Sequence, residues 1–327
     1  MPIINSAFQP APGCSNCHVQ TLLPRIIAGR RKIDGDWEKV TTLDKDFFEV
    51  FWHRPHSADA PLLVIFHGLE GSVDSPYAWQ MMVKAASSGW NSAVMHFRGC
   101  GPSVNKLPRA YHSGDTGDAR RLLEQLHQQN PNRPLLAAGY SLGGNMLTKL
   151  LGEAPVAGLA GAVVVAAPID LAACAHRINE GFSKVYRNHL LGSLKQKMLI
   201  KQETGVIHEE HALSDLKIAD LTNFYEFDDL VTAPLHGFDG VDDYYKRASS
   251  RPLLHAIENS LLMIHAADDP FMTEDVIPSE QELSATTTYE LSKHGGHMGF
   301  VGWKNGRFWH WLPDRMHHYL QQQLEQY

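Results

Sequence analysis

Leu135-Leu136-Ala137-Ala138-Gly139-Tyr140-Ser141-Leu142-Gly143-Gly144-Asn145 decides the reading of this chain. A short apolar run ends abruptly in G-x-S-x-G, and a helix-compatible segment follows through Met146, Leu147, Leu150 and Leu151. Strand, glycine-flanked serine, helix: that order describes a sharp turn that lifts a serine hydroxyl out of a sheet. Gly139 and Gly143 flank Ser141 where side chains would collide as the strand reverses, and a residue without Cβ fits there. The turn also aims Ser141 at the N-terminal end of the helix, where free N–H groups and the helix dipole favour negative charge.

A serine hydroxyl is too weak an acid to attack a carbonyl at neutral pH, so a neutral imidazole must take its proton. A carboxylate must then hold that imidazole in the right tautomer. Folds with such a turn supply the acid after a later strand and the histidine near the C-terminus, in that order. Ser260 to Pro270 is an apolar strand pattern ending in Asp268-Asp269-Pro270, and Thr287 to Phe300 is a further strand running into His294-Gly295-Gly296-His297. Both arrive in the required order. His297 is preferred to His294 as base, because glycines on both sides let its loop fold back over the serine. Asp269 is preferred to Asp268 as acid, because it stands directly before the proline in the G-x-x-D-P ending usual here, with Ala266 in the glycine position. The reverse assignment of the two aspartates stays open, Asp268 otherwise reading as a capping carboxylate.

A tetrahedral intermediate also needs donors for its oxyanion. The N–H of Leu142, after the serine, is one; the second is expected from the loop after an earlier strand. Pro61 to Phe66 is such a strand, followed by His67-Gly68-Leu69-Glu70-Gly71, and the Leu69 N–H is the choice. His67 reads as a packing residue that holds the loop.

Several motifs in one order carry a resemblance. They are His18-Val19-Gln20-Thr21, His67-Gly68-Leu69-Glu70-Gly71, Phe97-Arg98-Gly99-Cys100-Gly101, Tyr111-His112-Ser113-Gly114-Asp115, the serine turn, the Asp-Pro exit and Gly295-Gly296-His297. Together they resemble the type-4 branch of the AB-hydrolase superfamily, most closely its bacterial YheT-type esterases. The resemblance implies an α/β-hydrolase fold with a mostly parallel central sheet flanked by helices. It also implies a serine hydrolase acting on carboxylic esters, with Ser141, Asp269 and His297 as charge-relay residues. Acyl transfer to an alcohol and thioester hydrolysis use the same triad and stay open, as does a binding protein that keeps the fold without the reaction.

The chain has 327 residues, 43% of them hydrophobic, and a formal net charge of −7. That supports one sheet-based domain over residues 1–327 and argues against a nucleic-acid partner, since no basic stripe is visible. The segment Met1 to Ser6 lacks a charged region followed by an apolar core, so no signal peptide is expected. Val156 to Ile169 is short for a membrane span and contains Pro168. A cytoplasmic site, with Cys14, Cys17, Cys100 and Cys174 as reduced thiols, is the expectation. Cys14-Ser15-Asn16-Cys17-His18 matches C-x-x-C-H, yet a structural role is preferred, and no cofactor or metal is expected.

Along the chain, Trp37–Leu43 and Phe47–Trp52 read as an antiparallel pair across Asp44-Lys45-Asp46. Parallel strands are expected at Leu62–Phe66, Ser92–His96, Leu135–Gly139, Ala162–Ala167, Leu261–His265 and Thr288–Leu291, with a helix over Asp115–Gln129. Residues 169–251 read as a helix-prone insertion; by analogy with the fold it is expected to cap the serine, a helical packing layer being the other reading, and its apolar residues suggest an aliphatic acyl chain on a small ester substrate. Asp228, Asp229, Asp239, Asp242 and Asp243 lack a metal-loop spacing and read as a solvated acidic surface. His317-His318 reads as the exposed side of a terminal helix. Oligomeric state is not legible.

Overall fold

The computed structural model describes residues 2–29 and 32–327. Met1, from the N-terminal stretch read above, lies outside the described residues. Nine strands form one sheet: β1 (Ile3–Asn5), β2 (Asp36–Thr41), β3 (Phe47–His53), β4 (Leu62–Phe66), β5 (Asn91–His96), β6 (Leu135–Tyr140), β7 (Leu159–Val165), β8 (Leu261–Ala266) and β9 (Thr287–Ser292). Their spatial order is β1-β9-β8-β7-β6-β4-β5-β3-β2. β4 to β9 run parallel, and β3 and β2 complete one edge antiparallel. Continuous apolar runs such as Leu62-Leu63-Val64-Ile65-Phe66 form inner strands because helices cover both faces, and every residue of that run is buried.

Residues 117–129 form a helix that begins at Gly117, two residues later than expected, and buries Ala119, Leu122, Leu123 and Leu126 against the sheet. The antiparallel pair closes at Thr41 and Phe47, so Leu43 is in the turn rather than the strand and is 87% exposed. The strand expected to reach Ala167 ends at Val165, because Ala166 turns to φ +50°. Two features were not anticipated. β1 pairs in parallel with β9, and a hairpin joins β10 (Val301–Lys304) to β11 (Arg307–His310) across Asn305-Gly306, both at positive φ. Of the pair in the C-terminal helix Trp311–Leu324, only His318 faces solvent. His317 instead stacks on Trp90 at 4.8 Å, correcting the reading of the pair as exposed.

Between β7 and β8 the chain forms helices at Leu171–Arg177, Ser183–Glu203 and Val241–Ala248, with shorter turns among them. This segment holds two apolar clusters of its own, one around Leu191, Met198 and Phe227, the other around Leu171, Val241 and Tyr244. Phe182 is half exposed, not part of either cluster.

Opposite this segment, Arg98 follows β5 and is almost fully buried. It makes a two-point bond to Asp118 at 2.7 and 3.1 Å and a third to Asp44 at 2.6 Å, with Asp46 at 3.5 Å. Burial pushes the Asp44 carboxyl up, but Arg98 and Thr42 outweigh this and hold it down to about 2. Arg98→Met leaves Asp118 and Asp46 without their cation and Asp44 with only Arg109 at 4.0 Å, and should cost about 3–5 kcal/mol, read as a lower urea midpoint. Because the folded Asp44 value lies below the ordinary one, its contribution is present above about pH 4 and lost as pH falls towards about 2. Urea midpoints of the native protein over that range should therefore fall, and less so in Arg98→Met.

Candidate active site

β6 ends at Tyr140, and a helix runs from Leu142 to Glu153. Ser141 turns between them at φ +50° and ψ −118°, a conformation rarely adopted by a residue with a side chain. The flanking glycines explain how the chain gets there. A Cβ on Gly139 would lie 2.6 Å from the Gly143 carbonyl oxygen, and one on Gly143 would lie 2.5 Å from the carbonyl oxygens of Phe66 and His67. The second contact matters more, because it sets the serine turn against the end of β4. Ser141 N–H still donates to Val165 O at 2.9 Å, so the ladder holds the strained residue from behind.

His297 Nε2 lies 2.9 Å from Ser141 Oγ, and His297 Nδ1 lies 2.8 Å from Asp269 Oδ2. A carboxylate only accepts, so Nδ1 carries the proton and Nε2 is left to accept from the serine hydroxyl. Asp269 is buried at the end of β8, and its other oxygen accepts the Phe271 N–H at 2.8 Å. Burial pushes its carboxyl up, but His297, His265 and the Phe271 N–H outweigh this and leave it below the ordinary value. Phe271 stacks on the His297 ring at 4.0 Å. Asp268 points elsewhere: it accepts the Gly296 N–H at 2.9 Å and faces His294 Nδ1 at 3.4 Å. Burial raises the Asp268 carboxyl despite these contacts. His294 therefore braces the loop rather than reaching Ser141.

Sequence reading supplied no role for His18-Val19-Gln20-Thr21 beyond the resemblance. These residues open the helix Cys17–Ile27, which backs the histidine loop. Thr21 Oγ1 accepts the His297 N–H at 2.9 Å, and buried Gln20 donates to Val301 O and accepts Val301 N–H. Gly296 and Gly299 permit the approach, since Cβ atoms there would strike Cys17 O and Gln20 O at 2.4 and 2.0 Å. Cys17 meets this loop through its carbonyl oxygen, while His18 faces the inserted segment, its Nδ1 3.1 Å from Tyr186 OH.

After β4, His67 is fully buried. Its Nδ1 meets Gly68 O at 2.7 Å and its Nε2 accepts Phe97 N–H at 3.2 Å, which fixes the tautomer. Burial, with His96 nearby, holds this imidazole well below its ordinary value, so it stays neutral. Leu69 and Leu142 line one cavity together with Ser141, His297, Phe224 and Tyr244. A second cavity meets it at Leu69 and Leu142 and extends inward past Leu194, Met198, Phe227 and Val231. Asp228 lines both cavities, contrary to its reading as solvated. Burial pushes it up to about 6, although Thr232 and Tyr245 donate to it at 2.7 and 2.9 Å.

His112, Asp115 and His236 bring ring nitrogens and a carboxylate oxygen within 4.8 Å of one another, the one such cluster found among the described residues. Arg109 already holds Asp115 at 2.7 Å, and the Gly114 N–H occupies His112 Nδ1 at 3.1 Å, so the donor set suits a cation poorly.

A parallel sheet with a strained serine between strand and helix, hydrogen-bonded to a histidine from a later loop, defines the α/β-hydrolase class. The chain belongs to that family: the family model for the alpha/beta hydrolase fold matches residues 61–302. It is 42% identical to "Putative esterase YheT" of Escherichia coli (strain K12), over 98% of this chain and 95% of that one. It is also 30% identical to "Monoacylglycerol lipase" of Saccharomyces cerevisiae, over 79% of this chain and 59% of that protein. Among solved structures, the Pyrococcus furiosus esterase Pf2001 superposes with a TM-score of 0.56 at 13% identity, over 90% of this chain and 93% of that one. That likeness concerns the fold alone.

Gly143→Ala should lower stability by about 1–3 kcal/mol through the clash with Phe66 and His67. Gly192, mid-helix in Ser183–Glu203 with nothing near its missing Cβ, is the control, and Gly192→Ala should gain up to about 1 kcal/mol. Thermal unfolding of the two variants should therefore shift in opposite directions.

Proposed function

We propose that this hydrolase cleaves carboxylic esters through an acyl-enzyme formed on Ser141. The single observation behind the reading is the unbroken hydrogen-bonded chain from Ser141 through His297 to Asp269. His297 Nε2 takes the serine proton as Oγ bonds to the ester carbonyl carbon, and Asp269 stabilises the imidazolium that forms. The carbonyl oxygen becomes an anion between the N–H groups of Leu69 and Leu142, neither of which has a protein acceptor among the described residues. The tetrahedral centre collapses, the C–O bond to the alcohol breaks, and His297 passes its proton to the leaving oxygen. Water then repeats the sequence with His297 as base, releasing the acid and restoring Ser141.

Residues 169–251 serve in this reading as a cap within one domain spanning 1–327. The apolar cavity beneath it, past Leu194, Met198 and Phe227, suits an aliphatic acyl chain of short to medium length. The lipase relative in yeast is consistent with an apolar ester substrate. Four free cysteines fit a reducing compartment, and the cytoplasm is the proposed site of action. No helix among the described residues is long and apolar enough to cross a membrane. Acyl transfer and thioester hydrolysis share this chemistry, and reaction with water and alcohol acceptors side by side separates them.

A fluorophosphonate probe should label Ser141 in the native protein and leave Ser141→Ala unlabelled. Ser141→Ala should lower kcat by more than about 10⁴-fold, and Asp269→Asn by about 10³–10⁴-fold. Asp268→Asn, which only loosens the loop, should cost less than about tenfold. A folded native protein that resists the probe would return the chain to a binding role, and a reversed order of the aspartates would exchange their assignments.

A further inference from the structure

The helix Ser183–Glu203 sends two lysines down into the body of the protein. Lys201 Nζ donates to the carbonyl oxygens of Leu107, Pro108 and Arg109 at 2.9, 3.2 and 2.9 Å. Lys197 Nζ, one turn earlier, donates to Glu70 Oε1 at 2.8 Å and lies 3.0 Å from Cys100 Sγ. Glu70 directly follows Leu69 and stands at φ +55°, a conformation that persists only where surroundings enforce it.

The enforcing contacts are visible. Tyr111 O–H donates to Glu70 Oε1 at 2.8 Å, while the Glu70 N–H donates to the same phenol oxygen at 3.0 Å. On the other side the Gly68 N–H donates to Tyr77 Oη at 2.9 Å. Two tyrosines thus occupy the N–H groups on either side of Leu69, and the Leu69 N–H between them keeps its hydrogen for a ligand. The Glu70 side chain is 8% exposed, so its charge needs a nearby cation, and Lys197 is the one that reaches it.

We propose that Lys197 is a positioning residue for the hydrolytic reaction, acting through Glu70 and Tyr111 to aim the Leu69 N–H at the developing oxyanion. The inference rests on the role given to Leu69 under the proposed function. Without the ammonium, the buried carboxylate turns towards water and the φ +55° residue relaxes. Leu69 is then free to tilt its N–H away.

The test is steady-state hydrolysis of a soluble short-chain p-nitrophenyl ester by the full chain. Lys197→Met should lower kcat at least about tenfold with KM within about threefold, as expected when a contact made in the transition state is weakened. Inhibition by a trifluoromethyl ketone, which forms an oxyanion on the serine, should weaken by the factor lost in kcat/KM. Glu70→Gln, a second route should Lys197→Met fold poorly, should lose as much, and the double variant no more than the worse single. Lys201→Met removes another lysine contact of the same helix without touching Glu70, while Ser183 Oγ still donates to Pro270 O at 2.6 Å, and should keep kcat within about twofold. Unchanged kcat in Lys197→Met, multiplying losses in the double variant, or an equal loss in Lys201→Met would each overturn the proposal. Native protein that neither labels with fluorophosphonate nor turns over ester would instead remove the reading beneath it.

Discussion

The contact of the Ser141 turn with the end of β4 is the constraint on which the site depends. Backbone meets backbone there, because Gly143 has no Cβ to hold the helix off the Phe66 and His67 carbonyls. Neighbouring strands in a parallel sheet are a fixed distance apart, and β4 and β6 are neighbours, with Phe66 opposite Gly139. The loop after β4 therefore reaches the serine without needing length or flexibility of its own. β8 and β9 are likewise adjacent, so the aspartate and histidine loops leave the same end of the sheet side by side. Ligand chemistry gathers beyond the carboxyl ends of such strands, where the loops that lead into the following helices converge and those helices present their N-termini. The strain at Ser141, on the order of 1–3 kcal/mol, is tolerated because the surrounding core over-determines it.

Electrostatic division of labour follows from burial. His67 and His96 are deep in the protein and held neutral, His96 down to about 4 chiefly by burial. Each accepts a main-chain N–H, from Phe97 and Val73 respectively, and such a ring works as a fixed strut. His297 differs in its partners: a carboxylate on one nitrogen and a hydroxyl on the other. Adjacent aspartates diverge in the same manner. Asp269 faces the imidazole and is stabilised as an anion, while Asp268 turns to a main-chain N–H and is raised by burial. Both stand in the turn after β8, closed by the Asp269 N–H on Ala266 O at 2.9 Å, and the turn sends the two side chains to different partners.

The sheet strands were legible because buried parallel strands write themselves as short apolar runs, and the serine turn because its glycines have no substitute. Local signals also gave the order of Ser141, Asp269 and His297, whose side chains the structure brings together. What the sequence hid was non-local. Thr21 meets His297 across 276 residues, and Tyr111 meets Glu70 across 41, distances no periodicity reports. Asp228 was misread because a carboxylate in an acid-rich stretch looks solvated until the helices around it are placed. β1 is three residues long and carries no pattern at all. The Asn305-Gly306 hairpin is a different case: its turn signal is local and strong, but the strands on either side are only four residues long.

The matched family segment begins at residue 61, yet the histidine loop is gripped by residues before it. β1 runs beside β9, with Tyr289 N–H on Pro2 O at 2.7 Å, and the following helix presents Gln20 and Thr21 to the loop that β9 feeds. Gln20 is fully buried and spends both ends of its amide on Val301 and Cys14, so it clasps the far side of the same loop. A glycine-rich loop is free to bring a histidine over a serine, and equally free to take it away. Glycine supplies the reach and loses more entropy on ordering than any other residue. The N-terminal helix is what offsets that loss, through hydrogen bonds to the main chain that flanks and carries the imidazole. Reach and restraint are thus written some 280 residues apart, which is why neither stretch alone accounts for the geometry at Ser141.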